Sequence, residues 1–254
     1  NDCHPNYVSY LMDKRTLSVK SINDILGSLE GEARLLYNKD YIEQLYVEYQ
    51  ENVVDDELAI QKLKEELKGK KILLLGPGLN IRKQRKKIVE FTERERPLII
   101  CVNRIAEDFR PDYVFLSNAK RYVQMATVLA QRDRKYKVIA TSNVTETNNK
   151  FDFVLNYSEL LDRNAEIIDN SFVMLLKVMI RLKIEKVYLA GFDGYFGQHK
   201  KNYLYSDMEY KFGKAKANNL NQYVAKVLSD LSPILKTEFI TDSLYLKNDS
   251  ERTN

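Results

Sequence analysis

An α/β fold, with a largely parallel, doubly wound sheet preceded by a helical segment, is predicted by three observations. From Lys70 onward, short apolar runs alternate with stretches of helical spacing. The first of these runs, Ile72 to Leu75, is too short for an independent helix and stops at Gly76, Pro77 and Gly78, which force a tight turn ahead of a basic stretch. Upstream of Lys70 nothing reads as a strand. Strands that alternate with helices pair in parallel and take helices on both faces. In such sheets ligands sit beyond the carboxyl ends of the strands.

Composition bounds the function classes. A chain of 254 residues makes one or two domains and can bury a substantial core. Its 44% hydrophobic and 30% charged content is that of a soluble globular protein. The net charge of +4 is mild and the basic residues are interspersed with acids, which argues against a nucleic-acid partner. No apolar run has the length of a membrane span and no signal-peptide pattern is present, so the expected localisation is cytoplasmic. Cys3 and Cys101 lie far apart, and a structural disulfide is not expected. Because the chain opens on Asn1, it reads as a C-terminal piece of a larger protein.

The elements follow in order. Residues 1–69 read as a helical segment, with helices over His4 to Arg15, after Ser18 or Ser21, over Asp40 to Gln50, and from Asp55 or Asp56 to a C′ glycine at Gly69. Residues 70–254 form the second domain. Strands are expected at 72–75, 98–102, 113–116, 137–141, 153–155, 186–190 and 237–240. Helices are expected over 82–93, 120–132, from Asn170 or Ser171 onward, and over 214–231. The helix after Asn170 is apolar nearly all round, from Phe172 to Leu182, and must be buried on most sides.

Residues at the strand ends define a candidate site. Gly76, Gly78 and Asn80 follow the first strand, Asn103 and Arg104 the second, and Ser117 and Asn118 the third. Asn170 and Ser171 open the buried helix, and Gly191, Asp193 and Tyr195 follow the strand after it. A glycine turn that opens a helix leaves backbone N–H groups free for a phosphate, yet the G-x-G spacing is neither a dinucleotide fingerprint nor a Walker loop. Amide and hydroxyl side chains suit a ribose, a base edge or phosphate oxygens better than acid–base hydrolysis. Asn170 or Ser171 also reads as a helix cap, Asn118 as a turn former, and Asp193 as a loop cap.

These motifs carry a resemblance. KILLLGPGLNI, the CVNR segment at 101–104, the NSFVM helix opening at Asn170 and KVYLAGFDGY at 186–195 resemble, in order and spacing, bacterial sialyltransferases that use CMP-sialic acid, and related Rossmann-like proteins. The resemblance covers residues 70 to about 240. It implies a Rossmann-like fold and CMP or another nucleotide as ligand, held by Gly76 and Gly78, Asn103, Ser171 and Tyr195, with Tyr203 or Tyr205 as a second phosphate-binding tyrosine. Pro77 stands where the family places an Asn and Phe172 where it places a Gly. The family's catalytic histidine follows its tyrosine pair, whereas His199 precedes Tyr203. His199 is thus either a base on a loop that folds over the site or a solvated histidine beside Lys200 and Lys201.

The segment CHPNYVSYLMDKRTLSVKSINDIL resembles the region that follows the barrel in 4-hydroxy-2-oxovalerate aldolase-like and HMG-CoA-lyase-like proteins. That resemblance implies a parent aldolase with a divalent metal in a barrel upstream in the same polypeptide. His4 and His199 are the only histidines, and Cys3 with His4 supplies too few ligands for a metal site. The basic run from Arg82 to Lys87 reads as a solvated helix face, and the scattered tyrosines as core and interface residues. Two functions are carried forward. One is a nucleotide or nucleotide-sugar module with glycosyltransferase-like chemistry in carbohydrate biosynthesis; the other is a non-catalytic regulatory or scaffolding module of the aldolase. A homo-oligomer is left open by the sequence.

Overall fold

A computed structural model describes residues 53–106, 108–118, 121–122, 124–125, 129, 134–144, 151–197, 201–208 and 213–246. The three helices read upstream of residue 53, together with Cys3, His4 and His199, lie outside the described residues. Among the described residues the sheet has seven strands: β1 (Ile72–Leu75), β2 (Leu98–Val102), β3 (Tyr113–Leu116), β4 (Lys137–Thr141), β5 (Phe153–Leu155), β6 (Lys186–Ala190) and β7 (Lys236–Phe239). All of its pairings are parallel, and the spatial order is β5-β4-β3-β2-β1-β6-β7. This is a doubly wound, Rossmann-like α/β fold.

Why these short runs become strands is visible in their burial. All four residues of β1 and all four of β3 are buried. A strand covered on both faces has no reason to alternate with polar residues. Alternate side chains nevertheless serve two cores. Ile72, Leu74, Ile100 and Phe115 join one face, while Leu73, Leu75, Cys101 and Val114 join the other. The first face is covered by α1 (Glu57–Leu67), by α5 (Ser171–Arg181) and by α6 (Lys214–Leu231); α2 (Asn80–Lys83) and α3 (Arg85–Glu95) cover the second. Tyr122, Met125 and Leu129, helical residues within the expected 120–132 helix, also pack on that second face.

The short α4 (Tyr157–Leu160) follows β5 and has no counterpart in the predicted elements. Where one helix was expected over 82–93, α2 and α3 are separated at Gln84, whose φ of −117° is not helical. The last strand begins one residue earlier than expected. On α5 every residue from Phe172 to Leu176 is buried, as are Val178 and Met179. Burying each such side chain contributes roughly 1.5–3 kcal/mol, which makes α5 the helix to which the rest of that face is fitted.

At the start of the described chain, Asp55 Oδ1 accepts the Glu57 N–H at 3.0 Å where the chain enters α1. Gly69, at φ +69°, is the left-handed residue that ends it. The carboxylate of Asp56 turns inward instead. It accepts hydrogen bonds from Arg181 Nη1 and Nη2, each at 2.6 Å, and from the Asn156 N–H at 2.7 Å. Burial opposes its charge, but the Arg181 and Asn156 hydrogen bonds outweigh that and hold the carboxyl below its ordinary value. One side chain thereby ties the entry to α1 to the ends of α5 and β5.

Candidate functional site

Winding reverses between β1 and β6, the adjacent strands whose following segments depart to opposite faces of the sheet. That reversal is where a doubly wound sheet opens a crevice beyond its carboxyl ends. Here the crevice is closed at its base. The Gly76 N–H donates to the Ala190 carbonyl at 2.8 Å and the Gly78 N–H to the Gly191 carbonyl at 2.9 Å. A Cβ on Gly78 would lie 2.5 Å from the Gly191 oxygen and 2.6 Å from the Asp193 Cγ. The glycine in this turn is required by the close approach of the loop after β6.

Asp193 occupies the place expected for an anion. Its Oδ2 accepts the Asn80 N–H at 2.8 Å, and the Leu79 N–H also bonds the carboxylate. Only 5% of the residue is exposed, and its Oδ1 has no partner. Burial pushes the carboxyl up from 3.8 to about 6, with the Asn80 and Leu79 amides and the Lys83 charge pulling the other way. The Asn80 side chain is also engaged, donating to the Asp242 carbonyl at 2.9 Å. Of the predicted residues, Gly76, Gly78, Asn80 and Asp193 therefore come together, and they bond one another and β6.

A second group gathers over β2, β3, β4 and the start of α5. Asn103 has φ +58°, a left-handed conformation that Asn tolerates better than most residues. This turn aims its side chain across the sheet: Nδ2 donates to Ser171 Oγ at 2.7 Å, and Oδ1 accepts the Ser117 N–H at 3.4 Å. Ser117 Oγ donates to the same Ser171 oxygen at 2.7 Å. Two received hydrogen bonds use both lone pairs of that oxygen, leaving Ser171 its own proton to offer. Ser171 is half-buried at the mouth of the group, whereas Asn103 and Ser117 are buried.

Asn170 does two things. Its Oδ1 caps α5 by accepting the Phe172 and Val173 N–H groups at 3.1 and 3.3 Å, and its Nδ2 donates to Tyr195 Oη at 3.4 Å. The Tyr195 hydroxyl is raised by burial, against the hydrogen bonds of Asn170 and Tyr203 and the charge of Arg121. Tyr195 and Tyr203 are thus brought together, with the Arg121 guanidinium 5.9 Å from the centre of the Tyr203 ring. The segment carrying Tyr203 runs over the strand ends: Leu204 N–H donates to the Pro77 carbonyl at 2.9 Å, Tyr205 Oη to the Ile105 carbonyl at 3.3 Å, and the Met208 carbonyl accepts Arg121 Nη2 at 2.8 Å. Asn118 turns to the backbone, its Oδ1 accepting the Arg121 N–H at 3.3 Å.

Sequence reasoning passed over Thr141 and Asn143. Asn143 Nδ2 donates to the Ser117 carbonyl at 3.1 Å, and the Thr141 hydroxyl donates to Asn143 Oδ1. The available signal was a Thr-Ser-Asn run at the carboxyl end of β4, in line with Asn103 and Ser117 at the ends of β2 and β3. Arg121, within the expected 120–132 helix, was passed over as well.

Other groups are less suited to a ligand. A cleft of about 390 Å³ beside the Asp56–Arg181 pair is walled by Asp55, Glu57 and Glu159, carboxylates that repel a phosphate. Within the basic run, Arg85 pairs with Asp108, Lys86 with Glu90 and Lys87 with Asp242, all at the surface. Burial pushes the Cys101 thiol up to about 12, which makes it a packing residue and no nucleophile. Among the described residues no three His, Cys, Asp or Glu side chains gather to hold a metal ion, and no helix is long and apolar enough to cross a membrane. The chain matches no protein-family model and no curated protein sequence.

Proposed function

We propose that this domain binds a nucleotide or nucleotide-sugar, a CMP-sugar being the ligand class, over the carboxyl ends of β2 and β3 and the start of α5. The observation that carries this reading is the Asn103–Ser117–Ser171 group, in which a left-handed asparagine and two serines converge from three separate elements and leave a hydroxyl proton at the mouth. Neutral donors of this kind suit a base edge, a ribose or a phosphate oxygen. The phosphate belongs near Tyr195 and Tyr203 in this reading, because the amides of the glycine turn already serve Asp193 and β6.

Glycosyl transfer from the activated sugar is the chemistry this ligand would support, in a cytoplasmic setting that fits a free, buried Cys101. The self-engaged glycine turn favours a second reading, a regulatory or scaffolding module of an aldolase in the same polypeptide. Calorimetric titration with CMP, CDP, UDP and NAD tests nucleotide binding, and binding by none of them removes it. With CMP bound, Asn103→Ala is expected to weaken affinity by on the order of 1 kcal/mol or more; an unchanged affinity would put the site elsewhere. Release of CMP from CMP-sialic acid separates transfer from binding alone.

A further inference from the structure

We infer that Asn143 is a positioning residue for the ligand site, acting through Ser117 to fix what Asn103 and Ser171 present. This rests on the nucleotide reading above for its ligand, and on the hydrogen-bond geometry for its mechanism. Ser117 is held at three points. Its N–H goes to Asn103 Oδ1 at 3.4 Å, its hydroxyl to Ser171 Oγ at 2.7 Å, and its carbonyl receives Asn143 Nδ2 at 3.1 Å. Asn143 is 7% exposed and Ser117 1% exposed, so neither has water to fall back on.

The direction of each bond is set along the chain. Thr141 donates to Asn143 Oδ1, which fixes that amide with its nitrogen toward Ser117. The carbonyl bond anchors the Ser117–Asn118 peptide, and Thr141 Oγ1, 3.5 Å from the Leu116 carbonyl, holds the preceding Leu116–Ser117 peptide, whose N–H orients Asn103 Oδ1. With Oδ1 fixed, Asn103 must turn Nδ2 to Ser171, and Ser171, receiving two hydrogen bonds, is left as a donor. Reversing the amide at residue 143 leaves a carbonyl facing a donor-less oxygen and frees each later member to turn. The site then offers an acceptor where the ligand needs a donor.

Asn143→Asp tests this, since it keeps the shape and the acceptor for Thr141 but places an oxygen against the Ser117 carbonyl. Ile88→Ala, in the core of the opposite sheet face, serves as a control for lost stability. CMP affinity is expected to fall at least tenfold in Asn143→Asp and to stay within twofold in Ile88→Ala, and the ¹⁵N–¹H resonances of the Asn103 side-chain amide are expected to move only in Asn143→Asp. Wild-type affinity in Asn143→Asp overturns the inference while leaving nucleotide binding intact. If the wild-type protein binds no nucleotide, that reading falls, and the Asn103 resonances alone decide: movement in Asn143→Asp sustains the relay, and their constancy overturns it.

Discussion

Asp193 shows how a single side chain decides what a loop can bind. A carboxylate received by the Leu79 and Asn80 amides leaves no vacancy for a phosphate there, and it pays in desolvation. The carboxyl titrates near 3.8 when unfolded and near 6 in the fold. Between these values the folded chain holds the extra proton, so this group's contribution is fully favourable below pH 3.8, declines as the pH rises to 6, and is level above it. The interval corresponds to roughly 3 kcal/mol. Urea denaturation of wild type and Asp193→Asn across pH 4 to 7 is therefore expected to show the wild type losing ground to the variant as the pH rises; parallel stabilities would reject the shift. None of this was legible in the sequence, where GPGLN reads as an open anion turn, because the competing carboxylate is 113 residues away. Asn103 and Tyr195 stand out in the sequence by their place after β2 and β6 and Ser171 by its place at the opening of α5, whereas the hydrogen bonds that join them to their partners do not. Asn143 does not stand out, because Thr-Ser-Asn after a strand is also ordinary turn chemistry.

At the level of elements, α1 and α5 are joined by the Asp56–Arg181 pair across 125 residues of sequence. Asp56 is almost fully buried and the Arg181 side chain is 25% exposed, so removing the arginine leaves a buried carboxylate without its charged partner. Arg181→Ala is expected to lower stability by about 3 kcal/mol. Asp56→Asn placed on that background should restore part of the loss, because it removes the stranded charge. Denaturant midpoints of the two singles and the double test this, and a double variant no more stable than Arg181→Ala would count against it. The elements themselves were largely readable. Strands β1 to β6 fall on their apolar runs because both faces of the sheet are covered, and α5 begins at the asparagine that caps it. The break between α2 and α3 was unreadable, since nothing in the basic run at Gln84 marks a non-helical residue. Strand β7 slipped by one residue because an edge strand with exposed Lys236 and Glu238 carries a weak apolar signal.

For the whole molecule, two cores on opposite faces of one sheet mean that damage on one is not shared with the other. Leu176→Ala on α5 should cost about 2–5 kcal/mol and Ile88→Val on α3 about 0.5–1.5 kcal/mol. Their double variant should equal the sum to within about 0.5 kcal/mol; a larger coupling would show that the sheet transmits strain between its faces. Alternation of strands and helices announced the parallel sheet, whereas the strand order depends on which way each crossover turns and is not written in local pattern. That order has a kinetic consequence. Strands β1 to β5 are neighbours in chain order and can assemble as they are made, but β1 presents its other edge, four consecutive buried apolar residues, to a strand that arrives only after β5 and α5. Until β6 docks, the middle of the finished sheet is an open, adhesive margin. Refolding should thus be governed by a late, long-range closure, and it is at this stage that the chain is most exposed to association with its own copies.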